Sequence, residues 1–394
     1  MIVARCQLPV HSRLTVRQLL RGASAVLGVG HDPHSPLARL RSSYDVAGAL
    51  GTASGTIALQ VALRLVAGPT RAPIALPGYG CYDLATAAIG ADVPVRLYDI
   101  DPRTLGPDLD ELGRIVAEGA GAIVVVHQYG IAVDMAAVRA LAAEAGIPVV
   151  EDAAQAVGGR LAGRALGGLG DYGILSFGRG KGMSAAGGGA LLARRSAEAM
   201  LLSSTTLISP GSAGAGDLLR GAAQFALGRP ATYSLPAALP FLRLGETVYH
   251  SPQGARGWSR AVVAMLDGAL DRVDAESTRR RTRGAELQSL LPERAQLGTS
   301  LPANAEAGYL RLPCLVPRRE VRDDALAGGV PFGVARGYPR TLADLAELAP
   351  QLASAPGPLP GARELASRLV TLPTHDLLTV GDLAALKCWI HDRL

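Results

Sequence analysis

Lysine stands at only two of the 394 positions, 181 and 387, leaving 37 arginines among the 39 basic residues. Lys181 lies in the glycine-rich stretch "SFGRGKGMSAAGGGALL", residues 176–192. Arginine stays protonated in proteins, whereas a desolvated lysine can deprotonate, form a Schiff base and carry a proton. A chain that uses arginine almost everywhere therefore keeps lysine here for chemistry rather than for charge; Lys387, on a predicted C-terminal helix, reads as an ordinary helix residue. Asp152 closes the apolar run "IPVVED" at 147–152. A carboxylate half buried at a strand end is costly unless a cation meets it, and at an effective dielectric near 20 a charge roughly 4 Å away returns about 4 kcal/mol. Either a protonated pyridine nitrogen or an internal arginine would serve. Ser54, Gly55 and Thr56 open the apolar helix that begins "SGTIAL". The N–H groups and positive dipole end of such a helix suit a phosphate, although the same residues would make an ordinary helix cap.

A phosphate cup, a carboxylate for a ring nitrogen and a loop lysine together specify pyridoxal phosphate. In that reading Lys181 holds the cofactor covalently, Asp152 keeps the pyridine nitrogen protonated, and the cup anchors the phosphate.

Elements must bring these three together. Strand-like runs occur at 72–76, 94–100, 121–127, 147–152, 172–177 and 188–193, with helical stretches Thr56–Val66, Tyr82–Ile89, Leu109–Ala117 and Met135–Ala145 between them. Alternating strands and helices predict a mainly parallel sheet covered on both faces, with ligands beyond the strands' carboxyl ends. A long polar helix from Ser259 to Leu287, a small mixed segment with "GYLRLPCLV" and a helix near 380–393 follow. The expected division is a large domain over 1–250, carrying an apolar insertion at about 203–250, and a smaller α/β domain over 251–394.

Composition sets further bounds. Hydrophobic residues at 48% and charged residues at 19% describe a globular chain with a large core. The net charge of +5 is spread over scattered arginines, without a basic run interleaved with aromatics, so no nucleic-acid partner is expected. Cys6, Cys81, Cys314 and Cys388 form no CxxC pair, which fits a reduced, cytoplasmic setting. The first residues lack the apolar run of a signal peptide. The stretch Phe225–Leu244 is broken by Pro230, Pro236 and Pro240 and holds Arg229 and Arg243, so it does not read as a membrane span. An ordinary packed insertion and a peripheral contact with a membrane or partner both remain open for it.

The ordered set "SGTIAL", "YDIDPRTLGPD", "VVVHQYGIAVDM", "IPVVEDAAQAVGG", "GDYGILSF" and a lysine five residues after Ser176 resembles the DegT/DnrJ/StrS family of fold-type I, pyridoxal-phosphate-dependent sugar aminotransferases. Weaker echoes are "ARGYP" at 335–339 and "LVTLPTH" at 369–375. The resemblance implies that Lys181 bonds the cofactor, that Asp152 meets the pyridine nitrogen and that Gln155 sits near the ring hydroxyl. It implies that Gly55, Thr56 and Ser176 hold the phosphate. The position that usually stacks an aromatic on the ring is Cys81, flanked by Tyr82 and Tyr79. Tyr338 and His375 would face the substrate, or else pack. The family implies a homodimer that moves an amino group from a donor, glutamate first, to a keto acceptor, most simply a nucleotide-linked keto sugar. The chain departs from the family at Val157, where a histidine is usual, at Gly182, where an asparagine is usual, in "AAGGGA", which lacks a glutamate, and in "QGARGWSR" at 253–260. These departures keep open a non-sugar acceptor, or a non-catalytic partner protein built on the same fold.

Overall fold

The branched aliphatic runs need no polar alternation because helices cover both faces of the sheet they form. The computed structural model describes every residue except 1–4, 31, 33, 238, 240–246 and 299–300. Pro240 and Arg243 of the apolar insertion therefore lie outside the described residues. Helices α1 (Val16–Val26) and α2 (Ser35–Tyr44) precede β1 (Gly48–Thr52). The chain then alternates through α3 (Gly55–Ala67), β2 (Ile74–Pro77), α4 (Asp83–Ala91), β3 (Val95–Tyr98), α5 (Leu109–Ala117), β4 (Ala122–Val126), α6 (Met135–Ala145) and β5 (Val149–Asp152). A short hairpin of β6 (Arg160–Leu161) and β7 (Arg164–Ala165) leads to β8 (Tyr172–Ser176) and β9 (Gly189–Ala193).

The seven-stranded sheet has the order β1-β9-β8-β5-β4-β2-β3. Strands β3, β2, β4, β5 and β8 run parallel, while β9 is antiparallel to both β8 and β1. No helix separates β8 from β9, so the chain turns straight back, and that turn carries Lys181. The mainly parallel α/β architecture is the one expected; β1 is an addition, because "GALGT" has no strand-like run of side chains. A methyl on Gly51 would stand inside the Trp258 indole, so that ring lies directly on the strand.

Glu151 fixes the frame next to Asp152. It is fully buried, and its carboxylate meets His127 Nε2 at 2.9 Å. It also accepts from the N–H groups of Gly167 (2.6 Å), Leu169 (2.7 Å) and Gly170 (2.8 Å). Nδ1 of His127 accepts from Val133 N, so the proton of the neutral ring lies on Nε2 and points at Glu151. Burial opposes the charge on Glu151, but the bonds from His127, Gly167 and Gly170 outweigh it and hold the pKa below its ordinary value. The stabilisation is therefore present at neutral pH and fades only as the pH falls through that lowered value. Glu151→Gln turns an NH2 group toward at least one of these donors. It is expected to cost about 3 kcal/mol in urea unfolding; a loss below about 1 kcal/mol, the worth of one ordinary hydrogen bond, would remove Glu151 from this role.

Beyond the sheet come α7 (Ser196–Ser204), α8 (Ala215–Leu227) and the short α9 (Ser234–Ala237). The long helix expected from Ser259 breaks at Asp271 and Arg272 into α10 (Arg260–Leu270) and α11 (Val273–Gln288). Helix α10 packs on α1, α2 and α8, beside the large sheet, rather than with the second sheet. We therefore place the change of lobe at the α10–α11 break instead of at residue 250. Strand β10 (Ala305–Glu306) joins the β6–β7 hairpin. The second lobe holds β11 (Arg311–Leu315), α12 (Arg319–Gly329), β12 (Ala335–Arg336), α13 (Pro360–Arg368), β13 (Leu369–Pro373) and α14 (Val380–Arg393). Its antiparallel sheet has the order β11-β13-β12. Among the described residues no helix is long and apolar enough to cross a membrane.

Candidate active site

Parallel register sets Asp152 between Val126 of β4 and Ile174 of β8, at the carboxyl end of the sheet. Its Oδ1 accepts from Ala154 N at 2.9 Å. Among the described residues no arginine or lysine forms an ion pair with it, so the internal-arginine alternative is not what the fold supplies. Burial raises its pKa, against the opposing pull of the Ala154 N–H and of the charge of Lys181. A half-buried carboxylate with no cation of its own is the partner a protonated ring nitrogen needs.

The start of α3 is pressed onto the end of β8. A methyl on Gly55 would come within 2.7 Å of Ser176 Cβ and 3.1 Å of its Oγ, so only glycine lets the helix terminus reach that serine. Ser54 caps the helix by accepting from Ile57 N at 3.1 Å. The remaining first-turn N–H groups lack intrahelical acceptors, as at any helix start, and this turn meets Ser176 at Gly55.

The Lys181 loop is tied down by its backbone. Ser12 Oγ donates to Lys181 O at 2.6 Å, and Arg280 Nη1 donates to Gly182 O at 3.1 Å. Gly180 takes φ +77°, a left-handed conformation suited to glycine. A methyl on Gly182 would lie 3.1 Å from Val157 Cβ and 3.3 Å from Arg280 Nη2. Two of the departures from the family pattern, Val157 and Gly182, are thus packed against each other.

Two aromatics, Tyr79 and Tyr82, flank Cys81 at the predicted stacking position. Tyr79 is fully buried, with its hydroxyl 3.3 Å from that of Tyr129 and accepting from Tyr338 N at 3.0 Å. Tyr82 is buried against the second lobe, where Arg340 and Asp344 act on its hydroxyl. Cys81 is the one of the three whose charge environment includes Lys181; burial first, and then Asp83, push its thiol up to about 12, so it is a neutral, polarisable group there.

Gln155 Oε1 accepts from Tyr129 N at 3.0 Å, and its Nε2 donates to the Tyr338 hydroxyl. Tyr338 also stacks on Tyr129 at 5.9 Å and meets Tyr79 edge-on at 5.3 Å. Tyr338 from the second lobe is thus bonded to Gln155, three residues beyond Asp152. His375 is engaged elsewhere: Nε2 is bonded to Leu8 O at 2.8 Å and Nδ1 accepts from Leu377 N at 3.3 Å. Burial, together with the charge of His11, lowers its pKa to about 4 against the weaker pull of Leu8 O and nearby carboxylates, leaving a neutral packing residue with no ring nitrogen to spare. Tyr129 and Ser12 were not marked by sequence reasoning. Tyr129 carries no sequence signal either; the structure singles it out as a non-glycine residue at φ +54° just before Gly130.

The orphan carboxylate, the glycine-dependent helix start and the tethered lysine fit pyridoxal phosphate, and they lie within the segment that comparisons single out. Residues 37–214 match the sequence profile of the DegT/DnrJ/EryC1/StrS aminotransferase family. The chain is 31% identical over 172 residues to a UDP-N-acetyl-3-dehydro-alpha-D-glucosamine 3-aminotransferase of Acidithiobacillus ferrooxidans, covering 44% of this chain and 46% of that protein. It is 37% identical over 131 residues to an L-glutamine:2-deoxy-scyllo-inosose aminotransferase of Streptoalloteichus tenebrarius, covering 33% of this chain and 31% of the relative. The chain thus spans less than half the length of these curated relatives. A sugar aminotransferase structure from Micromonospora echinospora superposes with a TM-score of 0.73 at 22% identity, over the full length of both chains, which carries the fold through the second lobe. Through residues 37–214, the chain is thus similar in sequence to the DegT/DnrJ/EryC1/StrS aminotransferase family, and over its whole length it shares the fold of a sugar aminotransferase structure.

Proposed function

We propose that the chain is a pyridoxal-phosphate-dependent aminotransferase that moves an amino group from an amino acid, glutamate first, to a keto acceptor. The observation that carries this reading is the unpaired Asp152 carboxylate facing the charge of Lys181 beside the Gly55–Ser176 contact. The family that residues 37–214 resemble is pyridoxal-phosphate-dependent. Gly55, Thr56 and Ser176 would hold the phosphate, Asp152 the ring nitrogen, and Lys181 the covalent attachment. Gln155, whose Nε2 keeps a second N–H after donating to Tyr338, would reach the ring hydroxyl, and Cys81 would lie on the ring face.

When bound, the cofactor supplies a carbonyl for the donor's amine and an electron-withdrawing ring. Asp152 holds a proton at the ring nitrogen, which an ionised carboxylate in a partly desolvated place does well. Lys181 Nζ takes and returns the proton at the donor's α-carbon; its backbone ties to Ser12 and Arg280 limit how far the amine can wander. The tyrosines wall the second-lobe side and exclude water.

A nucleotide-linked keto sugar is the first acceptor to try, in line with the named relative from Acidithiobacillus, and a cyclitol ketone the next. A homodimer in a reducing cytoplasm suits the reading: Val16 and Leu20 on α1, Met200 and Leu201 on α7, and Leu219 on α8 are exposed apolar side chains, and all four cysteines are free thiols. The test is direct. Added pyridoxal phosphate should give a visible absorbance band that glutamate bleaches and a keto acceptor restores. Protein that takes up no cofactor, or whose band is indifferent to every amino donor tried, would end the aminotransferase assignment.

A further inference from the structure

The amide of Gln155 is held from both lobes. Its Oε1 accepts from Tyr129 N at 3.0 Å, in the turn after β4. A backbone N–H can only donate, so this bond fixes which end of the amide is which, and Nε2 faces the second lobe, where it donates to the Tyr338 hydroxyl just beyond β12. One hydrogen on Nε2 is left over, the one assigned above to the ring hydroxyl of the cofactor.

Tyr338 is seated independently of that bond. Its ring stacks on Tyr129 at 5.9 Å and meets Tyr79 edge-on at 5.3 Å, and its N–H donates to the Tyr79 hydroxyl at 3.0 Å. Tyr79 is a fixed post, fully buried, with its carbonyl accepting from Gln128 Nε2 at 3.0 Å. A methyl on Gly337 would collide with the Tyr79 hydroxyl and come within 3.0 Å of the Tyr129 hydroxyl, so glycine is what lets the second lobe close on both rings. Leu342 N, donating to Gly78 O at 2.8 Å, ties the same segments again. Rings and backbone therefore place Tyr338, and among the described residues its buried hydroxyl has one hydrogen-bond partner, Gln155. Packing alone would be served by phenylalanine.

We propose that Tyr338 is the positioning residue for Gln155, its hydroxyl aiming the remaining N–H of the amide toward the cofactor. The assignment rests on the role of Gln155 in the aminotransferase reading above, and it can fail separately from it. An amide held at one end pivots about that bond, whereas an amide held at both ends keeps its free N–H in one direction. A hydrogen bond donated to a ring oxygen favours the ionised oxygen, so a loosened amide should raise the pH at which the visible band of the loaded chain changes form. The seating of the second lobe thus reaches the titration of a group bound on the first.

The experiment compares Tyr338→Phe, Gln155→Ala and the double variant. In cofactor-loaded protein the pH midpoint of the visible band is expected to rise by at least about 0.5 in Tyr338→Phe, roughly a threefold change in the proton equilibrium, and by at least as much in Gln155→Ala. The double variant should match Gln155→Ala alone, because a residue that acts through Gln155 then has nothing left to aim. In cofactor-free protein, hydrogen exchange at the Tyr129 amide, which Gln155 covers, should speed at least about threefold in Tyr338→Phe. A ring that only packs would change the melting temperature and leave the midpoint where it was. Tyr338→Phe with the parental midpoint therefore overturns the proposal, and so does a double variant whose shift is the sum of the single ones. Should Tyr338→Phe fail to fold, Tyr338→His, whose shorter ring places no oxygen at Gln155, is read against the same outcomes. A chain that takes up no cofactor sinks the aminotransferase reading instead, and a parental midpoint in Gln155→Ala sinks the cofactor role of Gln155; in either case exchange at Tyr129 decides for or against Tyr338.

Discussion

Lys181→Ala is expected to lower turnover with glutamate by at least about 10⁴-fold while leaving the protein folded. The size follows from the two tasks assigned to one amine, covalent attachment and proton transfer, the second of which alone is worth about 10²–10⁴-fold. The fold should survive because the loop is held through Lys181 O and Gly182 O, which any residue provides. Lys181→Arg is the sharper variant. It keeps the positive charge near Asp152 and Cys81 but cannot deprotonate, so it should be as inactive as alanine. Rapid-mixing absorbance with glutamate measures both; appreciable turnover by the arginine variant would show that only charge is needed at this position.

Asp152→Asn should move activity and stability in opposite directions. Loss of the carboxylate proposed for the ring nitrogen is expected to reduce turnover at least about 10²-fold, the usual cost of deleting a preorganised electrostatic contact. Stability follows from the raised pKa. Above the raised folded-state value Asp152 is ionised in both folded and unfolded chains, and the folded form bears the burial cost. Below the ordinary aspartate value near 3.9 both forms are protonated and the cost disappears. Asparagine removes the charge at every pH and can still accept from Ala154 N, so the cofactor-free variant should melt about 2 °C higher near pH 7. That difference should shrink as the pH falls through the raised folded-state value toward 3.9. A variant that melts lower at neutral pH without cofactor would mean that Asp152 is stabilised by a contact other than the Ala154 N–H.

Where the fold was legible in the sequence, one local property decided it. The runs that became β2 to β5, β8 and β9 are rich in branched or aliphatic residues and bounded by glycine, proline or helix caps, and α5 and α6 start at aspartates that cap them. Strand β1 escaped because its burial comes from Trp258, some 200 residues away in sequence, lying on Gly51. The α10–α11 break escaped because Asp271 and Arg272 are ordinary helix residues, and only the packing of α10 against α1 distinguishes the two segments. The site divides in the same way. Lys181, Asp152, Gly55 and Ser176 announce themselves by residue type at a strand end or helix start. Tyr129 is ordinary in sequence and gains meaning only when β11 is laid against the turn after β4. For His375 the packing alternative fits the structure better, and nothing local reveals it, because the carbonyl that accepts from its Nε2 belongs to Leu8, far off in the chain.

The contact between Gly182 and Val157 bears on how such a sequence can evolve. Any side chain at 182 meets Val157 at 3.1 Å and the Arg280 guanidinium at 3.3 Å, with Arg280 itself committed to four acceptors. The asparagine after the lysine that the family resemblance implies is therefore disfavoured while valine and arginine remain, and a bulkier histidine at 157 would crowd the same backbone. The positions are epistatic: a lineage carrying this pair can revert only by changing both, with Arg280 adjusting. Ancestral or family-consensus residues introduced singly around Lys181 should read as deleterious in this background, even though each is the norm elsewhere.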